Sequence, residues 1–91
     1  MLVRVKIPVA LLQYTENKPE LRIEAHTVDE LLRNLDERFP GLSAFIMNEN
    51  GELRRYVNIF VNEGDIRSGD GLVTPLKEGD LVSIVPAVAG G

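Results

Sequence analysis

Apolar and polar residues alternate along four segments of the chain, at residues 2–7, 20–25, 56–62 and 81–86. A period of two places every second side chain on the same face, which predicts strands with one buried face. Residues 72–76 form a shorter apolar run, which we interpret as a short edge strand. The side chains predicted to face the core from the first, third and last of the four alternating strands are Val3, Val5, Ile7, Val57, Ile59, Val61, Val82 and Ile84.

One main helix is predicted between the second and third strands. The Thr27 hydroxyl can accept a hydrogen bond from the backbone N–H of Glu30, and the Glu30 carboxylate can accept from the N–H of Thr27, as in a capping box. Apolar residues then recur at helical spacing, and residues 40–41, Pro-Gly, end the helix. Residues 42–47 fit one further helical turn. The predicted apolar stripe of the main helix is Val28, Leu31, Leu32, Leu35 and Phe39.

The order of these elements predicts an α+β fold in two layers, with one main helix packed across a mixed sheet of four or five strands. The first two strands are predicted to form an antiparallel hairpin. A β-grasp (ubiquitin-like) arrangement would place the last strand centrally in the sheet and parallel to the first. We predict that residues 1–86 form this domain and that residues 87–91 are a flexible tail.

Composition excludes several classes of protein. The chain has 91 residues and a formal charge of −4, and its densest basic point is the Arg54-Arg55 pair. A nucleic-acid-binding domain would normally carry a basic stripe, so no nucleic-acid partner is predicted. No apolar run approaches a membrane span, so no membrane partner is predicted. The absence of cysteine excludes a thiol nucleophile and is compatible with a cytoplasmic location.

The end of the chain, residues 86–91, is small and uncharged and stops on two glycines. Gly90 and Gly91 have no Cβ, so their backbone can approach the walls of a narrow site closely. Val88 and Ala89 are slim and apolar, and they can thread a channel without desolvating a charge. We therefore predict that the Gly91 carboxylate is the working group and that residues 88–90 thread a partner. A frayed or truncated terminus is the alternative reading of a Gly-Gly end taken alone.

Together these features make the chain resemble the MoaD/ThiS-type ubiquitin-like sulfur carriers over essentially its whole length. Within that family the tail and a long segment at 48–55 look most like the cysteine-biosynthesis carrier (CysO), with the molybdopterin synthase small subunit as the other near resemblance. The segments that carry the resemblance are FPG at 39–41, VNIFVN at 57–62, PLKEGD at 75–80 and PAVAGG at 86–91.

The resemblance implies a protein co-substrate. An E1-like adenylyltransferase/sulfurtransferase would use ATP to adenylate the Gly91 carboxylate, and a sulfur donor would then displace AMP to leave a thiocarboxylate. A sulfur-accepting synthase would take the sulfur, either a cysteine synthase-like enzyme or the large subunit of molybdopterin synthase. The carrier itself would bind no cofactor.

Strand parity predicts a docking surface beside the tail. Phe60 and Val85 are apolar residues expected on the face of the sheet that points away from the helix. Arg4 is expected on the same face, and Ile66 is expected to extend the patch. The alternative readings are ordinary surface apolarity and cover by the segment at 9–14.

No set of residues in the sequence suggests catalysis or metal binding. His26 is the one histidine and has no partner for a metal, so we interpret it as a surface residue. No pair of carboxylates, Walker A motif or dinucleotide fingerprint is present. The functions that stay open beside a sulfur carrier are a ubiquitin-like modifier joined to protein lysines through Gly91, and a passive β-grasp interaction module.

Overall fold

In the computed structural model, which describes residues 1–86, five strands form a single mixed sheet. Their spatial order is β2-β1-β5-β3-β4, so the last long strand lies in the middle. This order confirms the predicted β-grasp arrangement. The strands are β1 (Leu2–Lys6), β2 (Glu20–Glu24), β3 (Val57–Val61), β4 (Gly64–Asp65) and β5 (Leu81–Pro86).

Two α-helices and three short 3-10 helices connect the strands within residues 1–86. The main helix α1 (Val28–Arg38) packs on the sheet, and α2 (Ser43–Ile46) is the short helical turn predicted from the sequence. The 3-10 helices are Val9–Tyr14, Ile66–Ser68 and Gly71–Val73.

The two strands that pair with β5 run in opposite directions to each other. It runs parallel to β1, with Val5 opposite Val82, and antiparallel to β3, with Ile59 opposite Ile84. The hairpin of β1 and β2 is antiparallel, as predicted. A parallel neighbour requires a long connection, and α1 with the segments after it supplies one.

The core lies between the sheet and α1. Every second residue of β1, β2 and β5 is buried, and the whole predicted stripe of α1 is buried with them. Val61, predicted to face the core, is only half-buried, since it is the last residue of β3. The residues of α1 and its C-cap that fill the core are Val28, Leu31, Leu32, Leu35 and Phe39.

The start of α1 confirms one half of the predicted capping box and corrects the other. The Thr27 hydroxyl accepts from the Glu30 N–H at 3.2 Å. The Glu30 carboxylate, however, accepts from the backbone N–H of His26 at 3.0 Å, and the same oxygen lies 3.1 Å from His26 Nδ1. The backbone nitrogen and the ring nitrogen of His26 therefore both lie within hydrogen-bonding distance of the Glu30 carboxylate. The predicted bond from the Thr27 N–H to this carboxylate is wrong.

The predicted edge strand at 72–76 is also wrong. Residues 71–73 form a 3-10 turn, and Pro75 makes only an isolated bridge to Thr27. Pro75 has no N–H to donate, which prevents this segment from continuing as a ladder. The edge strand is instead β4, which follows β3 after a two-residue turn that starts at Asn62 with φ 57°.

Among residues 1–86, no helix is both long enough and apolar enough to cross a membrane. Across the same residues, no three His, Asp or Glu side chains gather closely enough to hold a metal ion. The predicted tail at 87–91 lies outside the described residues.

Candidate functional site

The end of β5 is the place from which residues 87–91 leave the domain. Pro86 is opposite Val57 at the start of β3. On its other side, the pairing of β5 with β1 stops where Ser83 meets Lys6, so β5 continues for three more residues without that neighbour. We call this end of the sheet the tail end.

Two of the predicted docking residues lie on the face of the sheet that points away from α1, which we call the outer face. Val85 is 43% exposed and Phe60 is half-buried. In the register of β3 and β5, Phe60 is opposite Ser83 and Val85 is opposite Asn58. Phe60 and Val85 are therefore diagonal neighbours, a separation that an aromatic side chain can bridge.

Arg4 is on the same face but farther from the tail end. It is opposite Leu81 at the start of β5, whereas Lys6 is opposite Ser83 and closer to Val85. Both basic side chains are exposed. The structure thus brings Phe60, Val85 and Arg4 to one face, with Lys6 between Arg4 and the tail end.

Ile66 does not belong to this surface, and its predicted place in the patch is wrong. Its side chain is only 3% exposed and lies in the hydrophobic core. The reason is the 3-10 turn that begins after β4: Asp65 caps it by accepting from the Arg67 N–H at 2.9 Å. This turn packs against β3 and directs Ile66 inward.

A cleft opens on one side of the tail end, between β5 and the segment after β1; we call it the outer cleft. Val9 in this cleft is 84% exposed, and the rest of its lining is largely apolar. The sequence did not single out Val9, because the run at 9–14 has no clear period. The outer cleft is lined by Lys6, Pro8, Val9, Ser83, Val85 and Pro86, among others.

A second cleft, which we call the aromatic cleft, lies on the other side of Pro86. Tyr14 and Phe45 meet in its lining, with ring centroids 4.6 Å apart and planes inclined at 44°. Phe45 is 41% exposed and Tyr56 is 50% exposed. Sequence reasoning placed Tyr56 on the outside of a strand and missed Phe45, which lies in α2. The cleft is lined by Leu11, Tyr14, Phe45, Tyr56, Ile84 and Pro86, among others.

The electrostatics of the described residues place no catalytic group at the tail end. The two carboxyl groups with clearly shifted pKa values belong to α1. Hydrogen bonds from the side chain and the backbone of His26 lower the pKa of Glu30. Hydrogen bonds from the side chain and backbone of Ser43, with the Gly41 N–H, lower the pKa of Asp36. His26 itself is exposed, as predicted.

The arrangement therefore offers apolar contact around the root of the tail. The predicted working residues Gly91, Gly90, Ala89 and Val88 lie outside the described residues, so the structure gives no geometry for them. What it does describe is the strand from which they leave and the two clefts on either side of that strand.

Comparison with known proteins agrees with this architecture. A model of the ThiS family matches residues 5–91. The sulfur carrier protein CysO of Mycobacterium tuberculosis is 38% identical over 93 aligned positions, which cover 100% of both chains.

Solved structures with the same fold include chains from bacteria and archaea. The matching chain of the Amycolatopsis orientalis BexX/CysO complex has a TM-score of 0.91 at 36% identity, covering 98% of this chain and 99% of that one. The solution structure of small archaeal modifier protein 1 from Methanosarcina acetivorans has a TM-score of 0.86 at 32% identity, covering 99% and 96%. Because the family match and the relatives span nearly the whole chain, it belongs to the ThiS family of small ubiquitin-like carrier proteins.

Proposed function

We propose that this protein carries sulfur on its last residue, as a thiocarboxylate formed from the Gly91 carboxylate. The observation that carries the proposal is the family match, which runs through the terminal Gly-Gly to residue 91. The position of β5 supports it, because the central strand ends at Pro86 between two exposed clefts.

The chemistry requires two steps. A carboxylate is a poor electrophile, so an E1-like enzyme first transfers AMP from ATP to the Gly91 carboxylate and releases pyrophosphate. A sulfur donor then attacks the carbonyl carbon of Gly91, and AMP leaves. If the donor is sulfide, this exchange leaves the thiocarboxylate on Gly91 directly. If the donor is a persulfide, the exchange leaves an acyl disulfide, and a thiol reductant then cleaves its S–S bond, which releases the thiocarboxylate and joins the thiol to the donor's remaining sulfur as a disulfide. Gly90 and Gly91 suit the first step because a backbone without Cβ can approach a nucleotide closely.

The tail is long enough to enter another protein while the domain stays outside. Residues 87–91 span at most about 18 Å when fully extended, at about 3.3–3.6 Å per residue. Val88, Ala89 and Gly90 would line the channel wall, and their small apolar surfaces make desolvation cheap. The domain would remain at the mouth of that channel, where the outer face and the two clefts can contact the enzyme.

Phe60, Val85 and Arg4 would then form part of the docking surface. Support comes from the exposure of Val85 and from the register that brings Phe60 diagonally beside it. Arg4 would contribute a charge at the far edge of the contact. Exposed charged residues at the rim of an interface affect the rate of association more than the affinity.

The acceptor of the sulfur is proposed to be an enzyme of the cysteine synthase type. The similarity to the Mycobacterium tuberculosis carrier over its full length favours this route over molybdopterin synthesis. The BexX/CysO complex supports the idea that a carrier of this fold docks on a partner protein.

The experiment is an intact mass measurement of the purified chain after incubation with ATP, a sulfur donor and the E1-like enzyme of the same organism. Exchange of oxygen for sulfur adds about 16 Da, the same increase that oxidation of Met1 or Met47 would cause. Fragment ions must therefore show that the added mass is on Gly91. The product must also be alkylated by iodoacetamide.

Deletion of Gly91 is the matched control. It leaves residues 1–86 unchanged and should abolish the mass increase. A wild-type chain that gains no mass on Gly91, with an enzyme shown to be active on another carrier, would contradict the proposal. A deletion variant that keeps full partner-dependent activity would favour the passive interaction module instead.

A second function, conjugation to protein lysines, is favoured by the similarity to small archaeal modifier protein 1. It uses the same adenylate but transfers Gly91 to an amine. Digested lysates of cells that express the tagged chain would then contain isopeptide-linked lysines. A thiocarboxylate without such conjugates would favour the carrier role alone.

A further inference from the structure

Three arginines gather at the tail end of this acidic protein. Arg54 and Arg55 precede β3, and Arg67 follows β4, yet a hydrogen bond from Arg67 to the carbonyl oxygen of Arg54 brings Arg67 to the corner that holds the Arg54-Arg55 pair. The chain as a whole has a formal charge of −4, so this is a local reversal of sign.

Each arginine of this cluster has a defined place. Arg67 donates from Nη1 to Asn58 Oδ1 at 2.5 Å and from Nη2 to the carbonyl oxygen of Arg54 at 2.6 Å. Arg54 donates from Nε to the carbonyl oxygen of Ala44 at 2.9 Å. Arg55 is exposed at the corner of the turn that the Val57 N–H closes onto the Arg54 carbonyl at 3.0 Å.

No carboxylate of the described residues neutralises this cluster. The ion pairs within residues 1–86 are Met1–Glu24, His26–Glu30 and Arg33–Asp29. Asp65 is near in sequence, but its carboxylate accepts from the backbone N–H of Arg67 and not from the guanidinium. The cluster therefore presents positive charge outward from this part of the chain.

The arginine cluster borders the aromatic cleft. Tyr56, which lines that cleft, directly follows Arg55 in the same turn. The Arg54 Nε donates to the carbonyl oxygen of Ala44, the residue before Phe45, and Phe45 also lines the cleft. Half-exposed aromatic rings next to arginines are the composition enriched in protein interfaces.

We propose that the aromatic cleft and the arginine cluster dock an acidic segment of the activating enzyme, in which an apolar side chain is flanked by carboxylates. The apolar side chain would insert between Phe45 and Tyr56, and the carboxylates would face Arg54 and Arg55. This inference rests on the proposed function, because it assigns the surface to the enzyme that must take the tail first.

The nucleotide would meet the last residue of the tail and not its first. Fully extended, the five residues would place the Gly91 carboxylate up to about 18 Å from Pro86, at about 3.3–3.6 Å per residue. The arginine cluster lies at the root of that tail, since Val57 and Pro86 are paired. The positive charge therefore acts at the mouth of the channel, where complementary charge speeds encounter and fixes orientation.

The test compares two charge reversals, Arg55→Glu and Lys77→Glu. Both side chains are exposed and make no side-chain hydrogen bond within the described residues, and Lys77 lies in the turn before β5, at the opposite end of the sheet. Both variants have the same net charge. We measure ATP–pyrophosphate exchange by the E1-like enzyme of the same organism, with each variant as the substrate, at low and at high salt.

Arg55→Glu should raise the KM for the carrier about tenfold at low salt, with kcat unchanged and a smaller effect at high salt. Lys77→Glu should stay within about twofold of the wild-type KM. Tyr56→Ser should raise the KM to an extent that salt does not change, because it removes apolar contact only. If Arg55→Glu lowers the melting temperature, Arg55→Gln replaces it.

Equal KM values for Arg55→Glu and Lys77→Glu, alongside robust exchange with the wild-type chain, would overturn this inference and leave the proposed function intact. No exchange with the wild-type chain would overturn both. These two failures are therefore distinguishable in one set of measurements.

Discussion

The residues at the start of β5 are held by hydrogen bonds to β1 and to the turn after β3, whereas its last residues lie beside exposed apolar side chains. At the start, the Asp80 carbonyl accepts from the Arg4 N–H at 2.8 Å, and the Leu81 carbonyl accepts from the Asn62 N–H at 2.7 Å. At the other end, Val85 is 43% exposed and lines the outer cleft.

The distribution of exposed apolar residues follows the same division. Four of the seven large hydrophobic side chains exposed within residues 1–86 line the two clefts of the tail end, namely Val9, Phe45, Tyr56 and Val85. The other three are the first two residues and Val73. One end of the central strand is therefore closed by polar contacts, and the other end leaves apolar surface exposed, as the proposed docking requires.

The largest expected difference between the two ends of β5 is between two of its valines. Val82 is fully buried near the start of β5, whereas Val85 is 43% exposed near its end. Val82→Ala should lower the free energy of unfolding by about 2–3 kcal/mol, from lost transfer energy and the cavity left behind. Val85→Ala should change it by less than about 0.5 kcal/mol. Urea unfolding followed by circular dichroism measures both, and equal losses would show that the strand is uniformly packed.

The closed end is tested at Asn62. Its Oδ1 accepts from the Leu81 N–H at 3.1 Å, and its Nδ2 donates to Asp80 at 3.0 Å. Its φ of 57° is also one that asparagine tolerates better than most residues. Asn62→Ala should therefore cost about 1–2 kcal/mol of unfolding free energy in urea titration.

Asn62→Gly is the informative companion variant. Glycine adopts positive φ without strain but restores neither hydrogen bond. A smaller loss for glycine than for alanine would assign part of the effect to the backbone. No loss for either variant would mean that the polar bonds do not hold this end of β5.

The open end is tested by a polar substitution at Val85. Val85→Ser should raise the KM of the activating enzyme for the carrier about fivefold, which corresponds to about 1 kcal/mol. The control is Val73→Ser, because Val73 is 70% exposed but lies in a 3-10 turn away from both clefts. Equal effects of the two serine variants in a pyrophosphate exchange assay would contradict a special role for the tail end.

The smallest expected effect concerns Asp36 on α1, which lies at neither end of β5. Hydrogen bonds from Ser43 and Gly41 lower the pKa of this carboxyl from its ordinary value of 3.8. A lowered pKa in the folded state means stability that is present above the unfolded pKa and lost as the pH falls through the folded pKa. Asp36→Asn should therefore lose less stability than the wild type between about pH 5 and pH 3.

Urea titrations at neutral and acidic pH measure this difference. Glu37→Gln is the control, since it removes a carboxylate at the next position that makes no hydrogen bond within the described residues. It should follow the wild-type curve. An Asp36→Asn curve that coincides with the wild type would show that the contacts with Ser43 and Gly41 add no stability that depends on pH.

Most of the fold could be predicted from the sequence, because it is set by periodicity. Alternation placed Val82 and Ile84 inside and Val85 outside, and helical spacing placed Leu31 and Leu35 against the sheet. Periodicity failed where the chain is irregular. Residues 72–76 were predicted to be a strand and Ile66 was predicted to be on the surface, and both predictions were wrong, because short 3-10 turns have no hydrophobic periodicity.

For the candidate site too, some residues could be chosen from local sequence and others only from the tertiary structure. Local sequence pointed to the Gly-Gly end, Phe60, Val85 and Arg4 as candidates, because strand parity and the small size of glycine are properties of each segment alone, and their roles stay predictions. The two clefts and the arginine cluster were decided only by tertiary structure. Phe45 and Tyr14 are 31 positions apart, and their rings meet only because α2 and the first 3-10 helix pack at the same end of the sheet. Contacts between distant segments depend on how the layers pack, and no spacing along the chain encodes them directly.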